Sequence, residues 1–330
     1  MAREFGEENL TLAVLPMMEP VVRGQFPKAE VVILPIRKQR VILNVFVANC
    51  LRCFPSWIQL LGKSVDTSIS LRHMRDYLQS FLFYSVRSRS RFLASNLLLG
   101  NGRRVRRWTE SSMVALFSAE ITEYPKGDVG IPREIEANRL LACDALHRGV
   151  DASEIWPELK AVEAPPINSP YFVCAPFSSD IWKNFPEHRW IELFELLDAQ
   201  GRLRNLVLTG SPDQRQVLEG FAGKIRKALP QTKTTTTIMI PKDLQRFIDL
   251  LAGADCVFTV DTAAAHGATA LDRRTLILFS GLHQGMFAPW TRSHRQIWIL
   301  PKKSSGDQQW HEAHRTSEIM ASLEEILAAP

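Results

Sequence analysis

From residue 171 to residue 279 short apolar runs alternate with amphipathic ones, and this alternation restricts the fold more than any other feature. Residues 171–175, 205–209, 238–240, 256–260 and 275–279 are rich in β-branched and aromatic side chains and bounded by polar or small residues, as strands are. Between them, residues 187–200 carry Trp190, Leu193, Phe194 and Leu197 on one face of a helix. The stretch opening with Pro241 and Asp243 does the same with Leu244, Phe247, Ile248 and Leu251. Apolar strands separated by helices predict a parallel sheet covered on both faces. In such a sheet ligands bind outside the carboxyl ends of the strands, against helix N-termini whose free N–H groups favour phosphate.

The run from Asp255 to Trp290 shows that arrangement best. Its first strand delivers Asp261 and Thr262, followed by Ala263, Ala264, Ala265 and His266 in a helix-like stretch. Small side chains let a phosphate approach the backbone. Asp261 can accept hydrogen bonds from a sugar hydroxyl, and Thr262 and His266 can donate to a diphosphate. The plainer reading is an aspartate cap and a packing histidine at an ordinary strand–helix turn.

At 330 residues the chain is long enough for two domains, each with its own core. Apolar content of 45% and charged content of 23% are those of a soluble globular protein. No apolar run reaches the roughly 18–20 residues of a membrane span, and Met1-Ala2-Arg3-Glu4 opens no signal peptide, so a cytoplasmic protein is expected. The five cysteines are scattered. Cys50 and Cys53 form a C-x-x-C with no second pair, which reads as structural thiols in a reducing compartment, and no metal site is expected.

Charge is uneven. Between Arg72 and Arg107 nine arginines face one acid, Asp76. Such a block meets phosphate on an anionic lipid, a phosphorylated glycolipid or nucleic acid, or it is a solvated face. Nucleic acid would call for exposed aromatics and a known module, whereas Phe81, Phe83, Tyr84 and Phe92 read as the core face of a helix. Residues 10–22 also read as helix, and residues 31–34 as the strand after it.

The segment Asp261-Thr262-Ala263-Ala264-Ala265-His266 resembles the D-[ST]-G-x-x-H motif of glycosyltransferase family 9, the ADP-heptose:lipopolysaccharide heptosyltransferases, with alanine in place of glycine. Residues 175–186 are similar to that family's H-P-G-[AS]-x-x-x-x-K-x-W-P segment, with Ser178, Ser179 and Lys183 in place. Near the start, Gly6 to Thr11 and Phe26 to Leu34 resemble G-D-x-x-x-T and the F-P-x-A turn, with Glu7 for aspartate. Only Met1 to Phe5 precede Gly6, so the family's first strand is expected to be missing.

The resemblance implies an α/β, GT-B glycosyltransferase with two Rossmann-like domains facing a cleft. An acceptor domain would span 1–165 and a donor domain 166–305, with a C-terminal helix in 306–330 able to pack back on the first domain. It implies inverting transfer of a heptose or similar sugar from ADP-heptose, with no other cofactor, to a hydroxyl of a lipopolysaccharide core or related glycan. Glu7 would be the base. Ser178, Ser179, Lys183, Thr262, Ala263 and His266 would hold the diphosphate, and Asp261 the donor sugar. Arg103, Arg104, Arg106 and Arg107 would meet the phosphorylated acceptor or the inner membrane of a Gram-negative bacterium. Asp243 and Asp249 are candidate ribose contacts. A non-catalytic nucleotide-binding partner or scaffold, and a membrane or nucleic-acid binder acting through the arginines, stay open at this point.

Overall fold

The structure is a computed structural model that describes residues 2–36, 43–70, 82, 83, 85–94, 121–124, 133–151, 154, 156–167, 170–282, 284–301 and 310–328. Contacts divide the chain into two units, Met1–Ile155 and Trp156–Pro330.

In the first unit, β1 (Thr11–Val14) pairs in parallel with β2 (Glu30–Ile33), Thr11 opposite Glu30 and Val14 opposite Ile33. Helix α1 (Glu19–Gln25) makes the crossover. The run from Leu10 is therefore strand, not helix. Pro16 stops it too early for a helix to form, and the β2 edge supplies the ladder that four residues alone could not. As expected, no strand precedes Gly6: Ala2–Phe5 is a short helical turn, and β1 follows Glu7. Gly6, at φ 80°, leads into a 3-10 turn of Glu7–Asn9 on the amino side of β1. The Glu7 carboxylate accepts the Lys28 N–H at 3.3 Å, just ahead of β2. Glu7 therefore lies at the amino ends of both strands, the wrong end for a base in a parallel sheet.

Helix α2 (Leu43–Leu61) buries Cys53 and Leu60 against Val32, Leu34 and Leu82. Strands β3 (Ser64–Ser70), β4 (Arg87–Ala94) and β5 (Ile121–Tyr124) form a second parallel sheet, in that order. Helix α3 (Arg133–Leu146) packs Leu141 and Ala145 on Phe92. Phe92 is thus a strand residue rather than part of a helix face. Arg87, Arg89 and Arg91 also lie on β4, with Arg89 ion-paired to Asp66 at 3.3 Å on the surface. Most of the helix expected over 73–86, together with Arg103, Arg104, Arg106 and Arg107, lies outside the described residues.

The second unit holds one sheet of six parallel strands: β6 (Tyr171–Ala175), β7 (Asn205–Thr209), β8 (Thr236–Met239), β9 (Cys256–Val260), β10 (Thr275–Leu278) and β11 (Gln296–Ile299). Their spatial order is β8-β7-β6-β9-β10-β11. This is the doubly wound, dinucleotide-fold order, with its reversal between β6 and β9. Alternate residues serve opposite faces, as the pleat requires. Phe172 and Cys174 join Leu206, Phe258 and Leu276 beneath α4 (Glu187–Ala199), α5 (Arg215–Ala228) and α8 (Thr316–Ala328). Tyr171 and Val173 join Val207 and Val257 beneath α6 (Leu244–Ala252) and α7 (Ala263–Ala270).

Helix α8 buries Ile319, Met320, Leu323 and Ile326 in the same core as α4. Asp249 on α6 is fully buried and accepts the backbone N–H groups of Val162 (2.9 Å) and Glu163 (3.4 Å). A Cβ on Gly253 would meet Pro165 and the Tyr171 hydroxyl at 2.4 Å. The proline-rich segment expected as the domain boundary is thus strapped onto the second unit, and the division falls upstream of it.

Candidate functional site

At the reversal between β6 and β9 the crossovers leave toward opposite faces, so a crevice opens at the carboxyl ends of these two strands. β6 runs into the loop that carries Ser178, Ser179 and Lys183. β9 ends on Asp261, and Thr262 starts α7. Thr262 is extended (φ −143°, ψ −178°), and its hydroxyl accepts the Ala264 N–H at 3.2 Å, capping the helix. It also shares a 3.1 Å hydrogen bond with the Thr259 hydroxyl. Ala263 is exposed at the first turn and is not among the residues with positive φ, so alanine costs nothing there.

Lys183 reaches from the β6 loop to Asp261. Its Nζ donates to Oδ2 at 2.8 Å and lies 3.4 Å from the Asp261 carbonyl oxygen. On the other side of the carboxylate, His266 Nε2 stands 3.3 Å from Oδ1. The Trp290 indole donates to His266 Nδ1 at 2.9 Å. One buried carboxylate, 5% exposed, thus sits between a lysine and a histidine at the mouth of α7.

Burial opposes ionisation of Asp261. The hydrogen bonds from His266 and Lys183 outweigh it and hold the carboxyl below its ordinary value of 3.8. A depressed acid contributes stability above its unfolded value and loses it as pH falls through the folded one. Asp261→Asn is expected to cost about 2–3 kcal/mol at pH 7. That is less than the roughly 3–5 of a fully buried pair, because Lys183 retains some solvent. In urea melts the difference from the parent should shrink steadily below pH 3.8. A gap that stays constant from pH 7 to pH 3 would disprove the assignment.

The other expected residues separate clearly. The Ser178 N–H donates to Asn184 Oδ1 at 2.6 Å, and its hydroxyl accepts the Asp180 N–H at 3.1 Å, so Ser178 shapes the loop that presents Lys183. Ser179 is exposed in the same loop. Asp243 caps α6 by accepting the Arg246 N–H at 2.8 Å. Asp249 is the strap anchor described above, so neither aspartate is presented as a ribose contact. Trp290 was not singled out in the sequence, because its bond to His266 spans 24 residues and depends on the course of the chain between them. Among the described residues no group of three His, Cys, Asp or Glu could hold a metal ion.

Residues 108–314 match the family model described as glycosyltransferase family 9 (heptosyltransferase). The chain belongs to this family. It is a glycosyltransferase. Its fold is similar to that of E. coli heptosyltransferase WaaC with ADP, with a TM-score of 0.67 and 16% identity over 95% of this chain and 89% of that one. It is similar also to E. coli ADP-heptose lps heptosyltransferase II, with a TM-score of 0.65 and 13% identity over 96% of this chain and 88% of that one. A family 9 glycosyltransferase from Veillonella parvula gives 0.62 and 12% over 96% and 87%. No curated protein matches in sequence. The parallel α/β architecture of this family 9 chain is therefore that of the GT-B heptosyltransferases. Among the described residues no helix is long and apolar enough to cross a membrane.

Proposed function

We propose that this family 9 protein transfers a heptose from ADP-heptose, with inversion, to a hydroxyl of a lipopolysaccharide core or related glycan. The observation that carries the reading is the meeting of Lys183 with the N-terminus of α7 at the carboxyl ends of β6 and β9. Two of the similar structures are of E. coli WaaC with ADP and with ADP-2-deoxy-2-fluoro heptose, which supports an adenine-linked donor.

In this reading the acceptor oxygen attacks the anomeric carbon opposite the diphosphate. The bond from that carbon to the phosphate oxygen breaks, its electron pair leaves with ADP, and the hydroxyl proton passes to a carboxylate. Lys183, Thr262 and the first amides of α7 stabilise the charge that grows on the diphosphate, as preorganised donors do. Ser178, Ser179 and His266 line the same crevice, and Asp261 holds Lys183 and His266 toward it and meets the donor sugar.

The resemblance assigned the base to Glu7, which lies ahead of β1. A base beyond the carboxyl end of β1 would instead be Glu19, the first carboxylate after that strand, paired with Arg23 at 2.9 Å. The arginines of the 72–107 stretch would serve the phosphorylated acceptor and, through it, the inner membrane surface. Thermal unfolding with ADP, UDP and GDP tests the donor. ADP at about a hundred times its Kd should add roughly 2.7 kcal/mol, a rise of a few degrees, and the other two should not. Equal shifts with all three, or none with ADP, would overturn the ADP-linked donor.

A further inference from the structure

We infer that Trp290 is a positioning residue of the donor site, acting through His266, and that Trp156 backs it. The inference rests on the donor reading above.

The Trp290 indole can only donate. It gives its N–H to His266 Nδ1 at 2.9 Å, so a neutral His266 must carry its own proton on Nε2. That proton points at Asp261 Oδ1, 3.3 Å away. The other tautomer would set a ring lone pair against the carboxylate and an N–H against the indole N–H. The tryptophan thus selects the form of His266 that completes the Asp261 cluster.

Orientation is fixed as well as protonation. The His266 and Trp290 rings are nearly coplanar, 15° apart with centroids at 6.1 Å, and meet edge to edge along this hydrogen bond. Trp298 tilts against His266 at 5.9 Å and donates its indole N–H to the Trp290 carbonyl at 2.8 Å. Trp156, the first residue of the second unit, stacks on Trp290 at 6.1 Å and 7°. Trp290 is consequently 6% exposed. So much aromatic surface around one imidazole is more than a packing histidine needs. It holds the ring edge that faces Asp261, and through Asp261 the ammonium of Lys183, in one place before ligand arrives.

The test uses the full chain labelled with 15N-histidine. Imidazole 15N shifts in the ligand-free protein should show His266 as the Nε2–H tautomer. Trp290→Phe keeps an aromatic ring against Trp156 and removes the N–H donor. It should give a mixture of tautomers and weaken ADP about three- to tenfold, the range of one neutral hydrogen bond. Trp156→Ala should leave the tautomer in place and weaken ADP less.

A Trp290→Phe protein that keeps a single Nε2–H tautomer overturns the inference. So does one whose tautomer changes while ADP affinity does not. Should that variant fail to fold, the parent decides. Its imidazole 15N shifts should show the Nε2–H form of His266, and a parent His266 protonated on Nδ1 overturns the inference. If ADP fails to bind the parent, the donor reading falls, while the tautomer measurement still decides what Trp290 does to His266.

Discussion

Glu19→Gln is expected to lower glycosyl transfer by about 10²–10⁴-fold, the usual worth of a positioned general base, while ADP affinity stays unchanged. The expectation follows from where β1 lies. A carboxylate that takes a proton from an acceptor hydroxyl in a parallel α/β unit belongs beyond the carboxyl end of a strand. Glu19 meets that condition, and Glu7 does not, since it precedes β1 and bonds the Lys28 N–H ahead of β2. Glu7→Gln serves as the control and should transfer at the parental rate. Single-turnover assays with ADP-heptose and a deacylated core acceptor read both. If Glu7→Gln is the slow variant and Glu19→Gln the normal one, the strand assignment has misplaced the base.

Lys183→Ala should lower transfer by about 10²–10³-fold, the cost of losing one preorganised donor to the leaving group. ADP affinity should fall too, by about tenfold, because the lysine meets the diphosphate before as well as after bond cleavage. The variant has a second expected signature. Without Nζ at 2.8 Å, Asp261 keeps its burial but loses one of the two hydrogen bonds that hold its carboxyl down. Its titration should then move upward, detectable by 13C NMR of the carboxyl. Lys183→Arg should recover little, since a planar fork does not match a site built around one ammonium. Full transfer by Lys183→Ala would remove the lysine from the diphosphate site.

The donor half of this protein was largely readable because its signals are strong and local. The strands at Tyr171, Asn205, Cys256 and Thr275 are apolar runs cut off sharply by polar or small residues, and Lys183, Asp261 and His266 follow two of them directly. β11 escaped notice because Gln296–Ile299 is only four residues long and leaves from a polar turn. β1 was misread for a related reason. Leucines at positions 10, 12 and 15 fit a helix face as well as a strand over so few residues, and β2 arrives only 19 positions later to settle the matter, Thr11 pairing with Glu30. Asp249 looked like a free carboxylate because its partner, the Val162 N–H, is 87 residues away. Ala263, standing where the family motif has glycine, occupies a position that does not need positive φ, whereas the strand expected to be missing ahead of Gly6 is indeed absent.

The ion pair of Lys183 with Asp261 bears on turnover. This cation does not wait bare for its ligand, because the protein already supplies an anion for it. In the proposed reading, a diphosphate arriving at α7 exchanges one negative partner of Lys183 for another, so the contact it gains with Lys183 is partly offset by the one it displaces. When ADP departs, the Asp261 carboxylate is at hand to receive the ammonium again, and the lysine is never stranded in its largely buried position. A built-in competitor of this kind would hold nucleotide affinity down and speed release of the spent nucleotide, while keeping the charge in register for the next cycle.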